Sequence, residues 1–238
     1  MHNPLLQLEN VTKRFGGVTA VEGITISVFI RELRCIIGPN GAGKSTLFRL
    51  ITGVYPPTAG EIFYNGYDIT SVPTFERARR GISMKFQTPM VYYDRTVGQN
   101  LLIALQRYHD LGKAGKMAMD IMKRFGIADA AGKPAGEVSH GYRQWLEICM
   151  AVAANPELLL LDEPTAGMSE EETARTAELI HRLNDLGMTI LVIDHDMEFV
   201  RRLNCDLTVL HLGKFFAQGS LAEIQAHDGV RDIYLGKK

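Results

Sequence analysis

The sequence predicts an α/β protein with a mostly parallel central sheet, and two observations support this prediction. From about Ala151 onward, strand-like and helix-like segments alternate in the order ELLLLDEP, EETARTAELIHRLNDLG, MTILVIDHD and MEFVRRLN. Such an alternation is typical of parallel strands joined by crossover helices. Nearer the N terminus, the apolar run at 35–37 leads through a glycine-rich loop into a helix-like segment, which indicates another buried strand followed by a helix.

The first 86 residues show a different pattern, with short strands separated by turn signals. The segment LQLENVTKRF alternates, and ITISV is rich in residues that favour strands. In EIFYNGYDI, the dipeptide Asn65–Gly66 predicts a β-hairpin with a type I′ turn, because both residues tolerate positive φ angles.

Between residues 87 and 150 the strand signals disappear. NLLIALQRY and KMAMDIMKRFGI carry apolar residues at helical spacing, with Gly112 and Gly126 as breaks. We therefore predict that residues 87–150 form a helical subdomain, inserted in an α/β core that residues 1–86 and 151–238 form together.

The bulk composition narrows the class of protein. The chain has 238 residues, of which 46% are hydrophobic and 22% charged, as is ordinary for a globular protein with a sizeable core. Its net charge of −1 argues against a nucleic-acid partner, since such proteins carry a marked basic excess. Three scattered cysteines favour reduced thiols in a cytosolic setting. We find neither a signal-peptide layout nor an uncharged apolar run of ~18 residues, so we expect membrane contacts to be made through partners.

The segment GPNGAGKS, residues 38–45, matches the P-loop pattern in full. Its glycines let backbone N–H groups surround phosphate oxygens, and the helix that follows directs the positive end of its dipole at the same anion. Lys44 places a charge at the outer phosphates, and the Ser45 hydroxyl can ligate Mg²⁺. The predicted nucleotide-binding residues here are Gly38, Asn40, Gly41, Ala42, Gly43, Lys44, Ser45 and Thr46.

Two further strand ends carry candidate catalytic side chains. Asp162 ends the leucine-rich strand, where Mg²⁺ needs an acidic anchor, and Glu163 can act on water as a general base. His195 follows the strand TILVI, so it can reach a terminal phosphate from the same sheet edge. The alternatives are that the two carboxylates merely cap the next helix and that His195 is an ordinary surface residue. Pro164 and the apolar run disfavour the first, and the sheet-edge position disfavours the second.

A second candidate anion site lies in EVSHGYRQWLEI. Ser139 is a good N-cap, Gly141 allows a close approach to the backbone, and apolar residues begin a helix face after them. A helix N terminus ringed by small and polar residues suits an anion. These residues alone do not explain why one chain needs two such sites.

Five motifs together resemble the nucleotide-binding subunit of ABC transporters: GPNGAGKST, KFQTP, SHG, LLLLDEPTAG and IDHD. Their order and spacing extend over nearly the whole chain. The resemblance implies a P-loop NTPase fold of the ABC cassette type, with a mostly parallel sheet core, an antiparallel β subdomain and an inserted helical subdomain. It also implies that the protein binds ATP with Mg²⁺ and hydrolyses the ATP. The predicted catalytic residues are Glu163, His195 and Gln87, and the predicted metal-binding residues are Ser45, Gln87 and Asp162.

The resemblance assigns roles to residues that would signify little in isolation. Phe15 lies where the family stacks an aromatic ring on adenine, with a plain core phenylalanine as the alternative. Gln87 lies where the family senses Mg²⁺ and the terminal phosphate. Ser139 and Gly141 correspond to the signature, which binds the ATP held by a second subunit. The two phosphate sites then pair across a head-to-tail dimer, either of two copies or of this chain and a paralogous ABC ATPase subunit.

Four positions depart from the common family pattern. His140 replaces the first signature glycine, and Tyr142 stands where glutamine is frequent. Ser169 stands where many members have aspartate in the loop after the catalytic glutamate, and Arg31 fills a tight turn where glycine is usual. None of these removes a catalytic group, so we expect phosphate binding to be intact.

Within the family, SHGYRQWLEI, TAGMSEEET, DHDMEFV and VRDIYLG resemble the ATP-binding subunits of importers for branched-chain amino acids, urea and short amides. The alternatives are the ATPase subunit of a lipopolysaccharide-type exporter and a soluble ABC-type ATPase. The importer assignment implies integral membrane permeases, indirectly a periplasmic substrate-binding protein, and a peripheral location at the cytoplasmic face of the inner (plasma) membrane.

The stretch TPMVYYDRTVGQNL, residues 88–101, is the predicted permease-docking segment. Pro89 restricts its backbone, and Met90, Val91, Tyr92 and Tyr93 are of types enriched at interfaces. The alternative is that these side chains pack in the core of the helical subdomain itself.

Overall fold

The computed structural model of the protein describes residues 4–87 and 90–235. The strands are β1 (Leu6–Phe15), β2 (Val18–Val28), β3 (Leu33–Ile37), β4 (Ala59–Tyr64), β5 (Tyr67–Asp68), β6 (Ile82–Lys85), β7 (Leu158–Asp162), β8 (Thr189–Ile193), β9 (Asp206–His211) and β10 (Lys214–Gly219). The helices are α1 (Lys44–Ile51), α2 (Thr74–Arg79), α3 (Val97–Gln106), α4 (Leu111–Phe125), α5 (His140–Val152), α6 (Glu170–Asp185), α7 (Met197–Leu203), α8 (Leu221–Ala226) and α9 (Asp228–Leu235), with a short 3₁₀ turn at Ala128–Ala130.

A six-stranded sheet in the order β10-β9-β3-β8-β7-β6 confirms the predicted parallel core. All neighbouring strands in it are parallel except the edge pair of β9 and β10. The leucine strand β7 is buried on both faces, since Leu158 and Leu160 pack in one apolar cluster while Leu159 and Leu161 pack in the other. Because β3, β6, β7 and β8 are parallel, the motifs that follow them meet at one edge of the sheet.

A four-stranded antiparallel sheet in the order β2-β1-β4-β5 packs on one face of the central sheet, together with helix α1. Asn65 and Gly66 join β4 to β5 with φ angles of 51° and 77°. Two successive positive φ angles are the mark of a type I′ turn, so the predicted hairpin is confirmed.

Helices α3, α4 and α5 lie between β6 and β7 in the chain, which confirms the helical character predicted for this region. Their apolar side chains join the cluster on the other face of the central sheet, where Leu101 and Trp145 belong to the same buried group as Leu159. The domain boundaries at residues 87 and 150 stay a prediction. In the described part of the chain, no helix is both long and apolar enough to cross a membrane.

The two glycines predicted to break the helices of this region behave differently. Gly126 ends α4 with a φ angle of 62°, as predicted. The prediction for Gly112 is wrong, because α4 already begins at Leu111. The Asp110 side chain accepts a hydrogen bond from the Lys113 N–H at 3.0 Å, and this cap starts the helix before the glycine.

Arg31 occupies the tight turn at which the sequence departs from glycine. Its φ angle of 65° is left-handed, a conformation that costs a residue with a side chain about 1–2 kcal/mol. The Arg31 N–H donates to Thr189 Oγ1 at 2.9 Å, and its carbonyl oxygen accepts from Asn184 Nδ2 at 2.8 Å. The turn therefore keeps a glycine-like geometry despite the substitution.

Candidate functional site

The P-loop connects β3 to α1 and requires glycine at two positions for steric reasons. A Cβ atom at Gly38 would lie 2.2 Å from the carbonyl oxygen of Leu210, and one at Gly43 would lie 2.5 Å from that of Ala20. Gly43 also has a left-handed φ angle of 95° immediately before the first residue of α1. The loop thus packs tightly against two strands while its backbone N–H groups remain at the N terminus of a helix.

Lys44 is buried at the base of this loop. Its Nζ donates to the carbonyl oxygens of Gly38 at 2.7 Å and Pro39 at 3.1 Å. Burial lowers the pKa of the Lys44 ammonium, while the nearby carboxylates of Glu163 and Asp162 act in the opposite direction. The ammonium is thereby held in the loop, where the outer phosphates of a nucleotide would bind.

Ser45 and Asp162 form the candidate Mg²⁺ site. The Ser45 hydroxyl lies 3.4 Å from Asp162 Oδ1. Burial raises the pKa of the Asp162 carboxyl, and the hydrogen bond from Ser45 opposes this effect. One hydroxyl backed by a carboxylate fits Mg²⁺, which is bound by few protein oxygens and completes its octahedron with phosphate oxygens and water.

Glu163 meets Gln87 and His195 beside the P-loop. Gln87 Nε2 donates to Glu163 Oε2 at 2.8 Å, and His195 Nδ1 lies 3.5 Å from Glu163 Oε1. Glu163 has a left-handed φ angle of 47°, so the backbone turns away from the direction of the strand at this residue. This conformation costs a residue with a side chain about 1–2 kcal/mol of conformational free energy. Strained residues of this kind occur at functional sites, where the surrounding structure maintains them.

Two residues that the sequence interpretation did not single out organise the loop that carries His195. The buried Asp194 carboxylate accepts hydrogen bonds from the backbone N–H groups of His195 and Asp196. Its other oxygen accepts from the Thr165 hydroxyl at 2.8 Å. Burial raises the pKa of Asp194, and these hydrogen bonds counteract that shift. A signal was present in the sequence, since Asp194 is the first polar residue after an apolar strand.

Phe15, the predicted adenine-stacking residue, ends β1 and is 42% exposed. This exposure disfavours the alternative of a core phenylalanine. The Tyr55 ring contacts Phe15 edge-on with 5.1 Å between centroids, and Lys13 Nζ lies 5.1 Å from the Phe15 centroid. A partly exposed ring at this position can stack on a flat aromatic ligand.

The signature residues lie at the N terminus of α5. Ser139 caps this helix, because its Oγ accepts from the Tyr142 N–H at 3.3 Å. Within the described residues, no hydrogen bond joins Ser139 or Gly141 to the P-loop.

Two contacts attach this helix end to the segment after Glu163. His140 Nε2 lies 2.8 Å from the carbonyl oxygen of Ala166, and a Cβ at Gly167 would come within 3.3 Å of the imidazole. A Cβ at Gly141 would lie 2.2 Å from Glu172 Oε1. A side chain at position 141 would therefore displace the Glu172 carboxylate, a close approach within the chain that the sequence interpretation did not anticipate.

Comparison with known proteins places this geometry in a family. The family model described as ABC transporter matches residues 21–166, which include the P-loop, Gln87, the signature and Glu163. The chain belongs to the ABC transporter family. The resemblance noted from the motifs is confirmed, and with it the ATP-binding and ATP-hydrolysing activity by which this family powers transport.

Curated relatives of this ABC ATPase match it over its full length. It is 32% identical to the high-affinity branched-chain amino acid transport ATP-binding protein BraF of Pseudomonas aeruginosa. It is 34% identical to LivG of Escherichia coli, which has the same description. Each comparison covers 100% of this chain and 100% of the relative. It is also 32% identical to the lipopolysaccharide export system ATP-binding protein LptB of Escherichia coli, with 98% of this chain and 97% of LptB covered.

Solved structures confirm the ABC cassette fold. A nucleotide-free ATP-binding cassette from an ABC transporter superposes with a TM-score of 0.90 at 29% identity, covering 98% of this chain and all of the other. A cassette solved in its ADP conformation superposes with a TM-score of 0.87 at 30% identity, covering 98% and 99%.

Proposed function

We propose that this ABC ATPase uses Glu163 as the general base of ATP hydrolysis and that the reaction drives an importer for branched-chain amino acids, urea or short amides. The observation that carries the catalytic part is the convergence of Gln87 and His195 on the Glu163 carboxylate, at the sheet edge that bears the P-loop. The test is Mg²⁺-dependent release of phosphate from ATP by the purified chain, compared with release by the Glu163→Gln variant.

The side chains divide the reaction between them. Lys44 and the P-loop N–H groups hold the outer phosphates, and Ser45 with Asp162 and Gln87 would hold Mg²⁺, which supplies positive charge at the β- and γ-phosphates. Glu163 removes a proton from a water molecule as the water oxygen attacks the terminal phosphorus, and ADP departs. Gln87 and His195 flank the carboxylate on its two oxygens and keep it directed at that water.

The partner at the nucleotide is a second copy of this chain or a paralogous ABC ATPase. The presence in one chain of two helix N termini suited to an anion, at the P-loop and at the signature, supports this proposal, because a head-to-tail dimer pairs each motif with the other motif of the partner. The dimer would bind permeases at the cytoplasmic face of the inner membrane and would be served indirectly by a periplasmic substrate-binding protein.

The substrate class rests on the full-length similarity to BraF and LivG, both described as branched-chain amino acid transport ATP-binding proteins. The similar identity to LptB makes export of a lipopolysaccharide-type lipid the second candidate. The chain should be reconstituted with its membrane permease subunits. Uptake of leucine, urea or acetamide into proteoliposomes on ATP addition would support import, and extraction of lipopolysaccharide from them would overturn it.

Phe15→Ala is expected to raise the Kd for ATP about five- to tenfold, because aromatic stacking contributes ~1 kcal/mol or more per base. The kcat at saturating ATP should stay within about threefold, since the phosphate contacts are untouched. Titration with a fluorescent ATP analogue measures the affinity. Phe75→Ala removes an exposed ring in α2 and serves as the control. Equal affinities in both variants would remove Phe15 from the adenine site.

The predicted docking segment is partly exposed. Met90, Tyr92 and Tyr93 are 63%, 58% and 49% exposed, whereas Val91 is buried. Thr88 and Pro89 lie outside the described residues. The buried Asn100 side chain fixes the backbone of Tyr92, accepting from its N–H at 2.7 Å and donating to its carbonyl oxygen at 3.0 Å. The tyrosine side chains can therefore be removed without removing the contacts that hold their backbone.

Tyr92→Ala combined with Tyr93→Ala is expected to weaken assembly with the permeases by at least ~1 kcal/mol, because aromatic anchors contribute most at interfaces. Basal ATPase activity should stay within roughly a factor of three. Co-purification with the permeases and phosphate release by the isolated chain measure the two effects. The control pair is Tyr67→Ala with Tyr108→Ala, at 71% and 40% exposure. Unchanged assembly would place docking elsewhere, and loss of basal activity would show that the tyrosines support the core.

A further inference from the structure

Lys85, the last residue of β6, is a buried charge that the reaction described above does not use. Its side chain is fully buried, and its Nζ lies 3.4 Å from the carbonyl oxygen of Asp162 and 3.5 Å from that of Glu163. The same Nζ lies 3.8 Å from Glu147 Oε2. A buried ammonium is unfavourable unless its surroundings compensate the charge, and here the compensating atoms belong to the catalytic strand end and to helix α5.

Glu147 joins this cation to two other parts of the protein. It lies in α5, the helix that Ser139 caps, and its Oε1 accepts from the Met90 N–H at 2.9 Å. Its Oε2 is buried and has no hydrogen-bond partner among the described residues, so the Lys85 charge is what it faces. Burial raises the pKa of Glu147 and lowers that of Lys85, and the charge of each counteracts the shift of the other.

The backbone of Glu163 needs such support because of its left-handed conformation. On its amide side, the Glu163 N–H donates to the carbonyl oxygen of Ile193 at 2.8 Å. On its carbonyl side, the contacts are the Ala166 N–H at 3.3 Å and Lys85 Nζ. A residue with a side chain keeps this conformation only when its neighbours hold it, and the backbone orientation decides where the carboxylate points.

We propose that Lys85, fixed by Glu147, is a positioning residue for ATP hydrolysis that holds the backbone of Asp162 and Glu163 so that the Glu163 carboxylate stays directed at Gln87 and His195. This proposal rests on the proposed role of Glu163 as the base. It also gives α5 and the docking segment a direct connection to the catalytic strand end, since Glu147 contacts Lys85 and the Met90 N–H at the same time.

Lys85→Met keeps an unbranched side chain that is one atom shorter, and it removes the charge. We expect kcat to fall at least ~10-fold while the Kd for ATP stays within threefold, because the P-loop contacts are not altered. Phosphate release at saturating ATP gives kcat, and titration with a fluorescent ATP analogue gives Kd. A loss confined to kcat is the result expected of a group that acts on the base rather than on the nucleotide.

A purely structural role is tested by removing both charges. In Lys85→Met with Glu147→Leu, stability should recover relative to either single variant, because an apolar pair avoids an uncompensated buried charge. The kcat should nevertheless stay at least ~10-fold low. Arg34→Met is the matched control, since Arg34 in β3 is a buried cation that pairs with Glu32 and lies outside the site. It should lower the urea midpoint and leave kcat within twofold.

The third experiment combines Lys85→Met with Glu163→Gln. Relative to Glu163→Gln alone, we expect less than a twofold further loss of kcat, because the base is already gone.

The proposal is overturned if the double apolar variant regains kcat within threefold of wild type, or if the losses at Lys85 and Glu163 multiply. Lys85→Met with normal turnover beside an inactive Glu163→Gln would refute only this proposal. Near-normal turnover by Glu163→Gln would refute the proposed base as well. If Lys85→Met alone does not fold, the double apolar variant decides the question.

Discussion

Glu163→Gln is expected to bind ATP with unchanged affinity, to hydrolyse it at least ~100-fold more slowly, and to accumulate as an ATP-bound dimer. Glutamine has the same shape and can still accept the hydrogen bond from Gln87, but it cannot take a proton from water. Losing a general base costs about 10²–10⁴ in rate. Phosphate release, fluorescent ATP titration and size-exclusion chromatography with ATP measure the three effects.

Two further variants define what this result means. Glu178→Gln makes the same change in an exposed glutamate that pairs with Arg182, and it should hydrolyse ATP normally. Lys44→Ala should instead lose nucleotide binding, because it removes the charge at the outer phosphates. Near-normal hydrolysis by Glu163→Gln would exclude Glu163 as the base.

Ser139→Asp is expected to abolish hydrolysis without preventing ATP binding at the P-loop of the same chain. Aspartate is as good an N-cap as serine, so α5 should begin as before. The added carboxylate would repel the terminal phosphate of the partner's ATP. This change is cleaner than Gly141→Asp, whose Cβ would lie 2.2 Å from Glu172 Oε1 of its own chain.

Mixing experiments then test whether the site is shared between two subunits. A dimer of one Ser139→Asp chain and one Lys44→Ala chain has one intact pair of P-loop and signature, so the mixture should regain activity of at most one site per dimer. Each variant alone should be inactive. Ser220→Asp makes the same exchange at the N-cap of α8 and should leave hydrolysis unchanged. Full activity of pure Ser139→Asp would refute the two-subunit site.

The parts of the protein that the sequence predicted correctly depend on local chemistry. Asn65–Gly66 specifies its turn because both residues accept positive φ angles, and the leucine strand β7 is apolar enough to be buried on both faces. The P-loop needs its glycines within one short segment, and Ser139 caps the helix that follows it in the chain. Strand direction then brings Gln87, Glu163 and His195 to one edge.

The prediction for Gly112 failed although it too was local. Glycine is a weak helix former, but the Asp110 cap lies just before it and stabilises the first turn. Two competing signals two residues apart cannot be ranked from the pattern alone, because the outcome depends on the geometry that the cap adopts.

By itself, the sequence determined most of the strands and helices and which strand ends carry the glycine-rich loop, the carboxylates and His195, since these follow from spacing and residue type. Only the tertiary structure decided that Gly141 lies against the Glu172 side chain, that Asp194, anchored by Thr165, holds the His195 loop, and that Lys85 lies beneath Glu163 against Glu147. Residues 85 and 147 are far apart in the chain, and a lysine or glutamate is usually exposed. Their pairing exists because the packing of α5 on the central sheet removes both charges from water, and no local pattern encodes that.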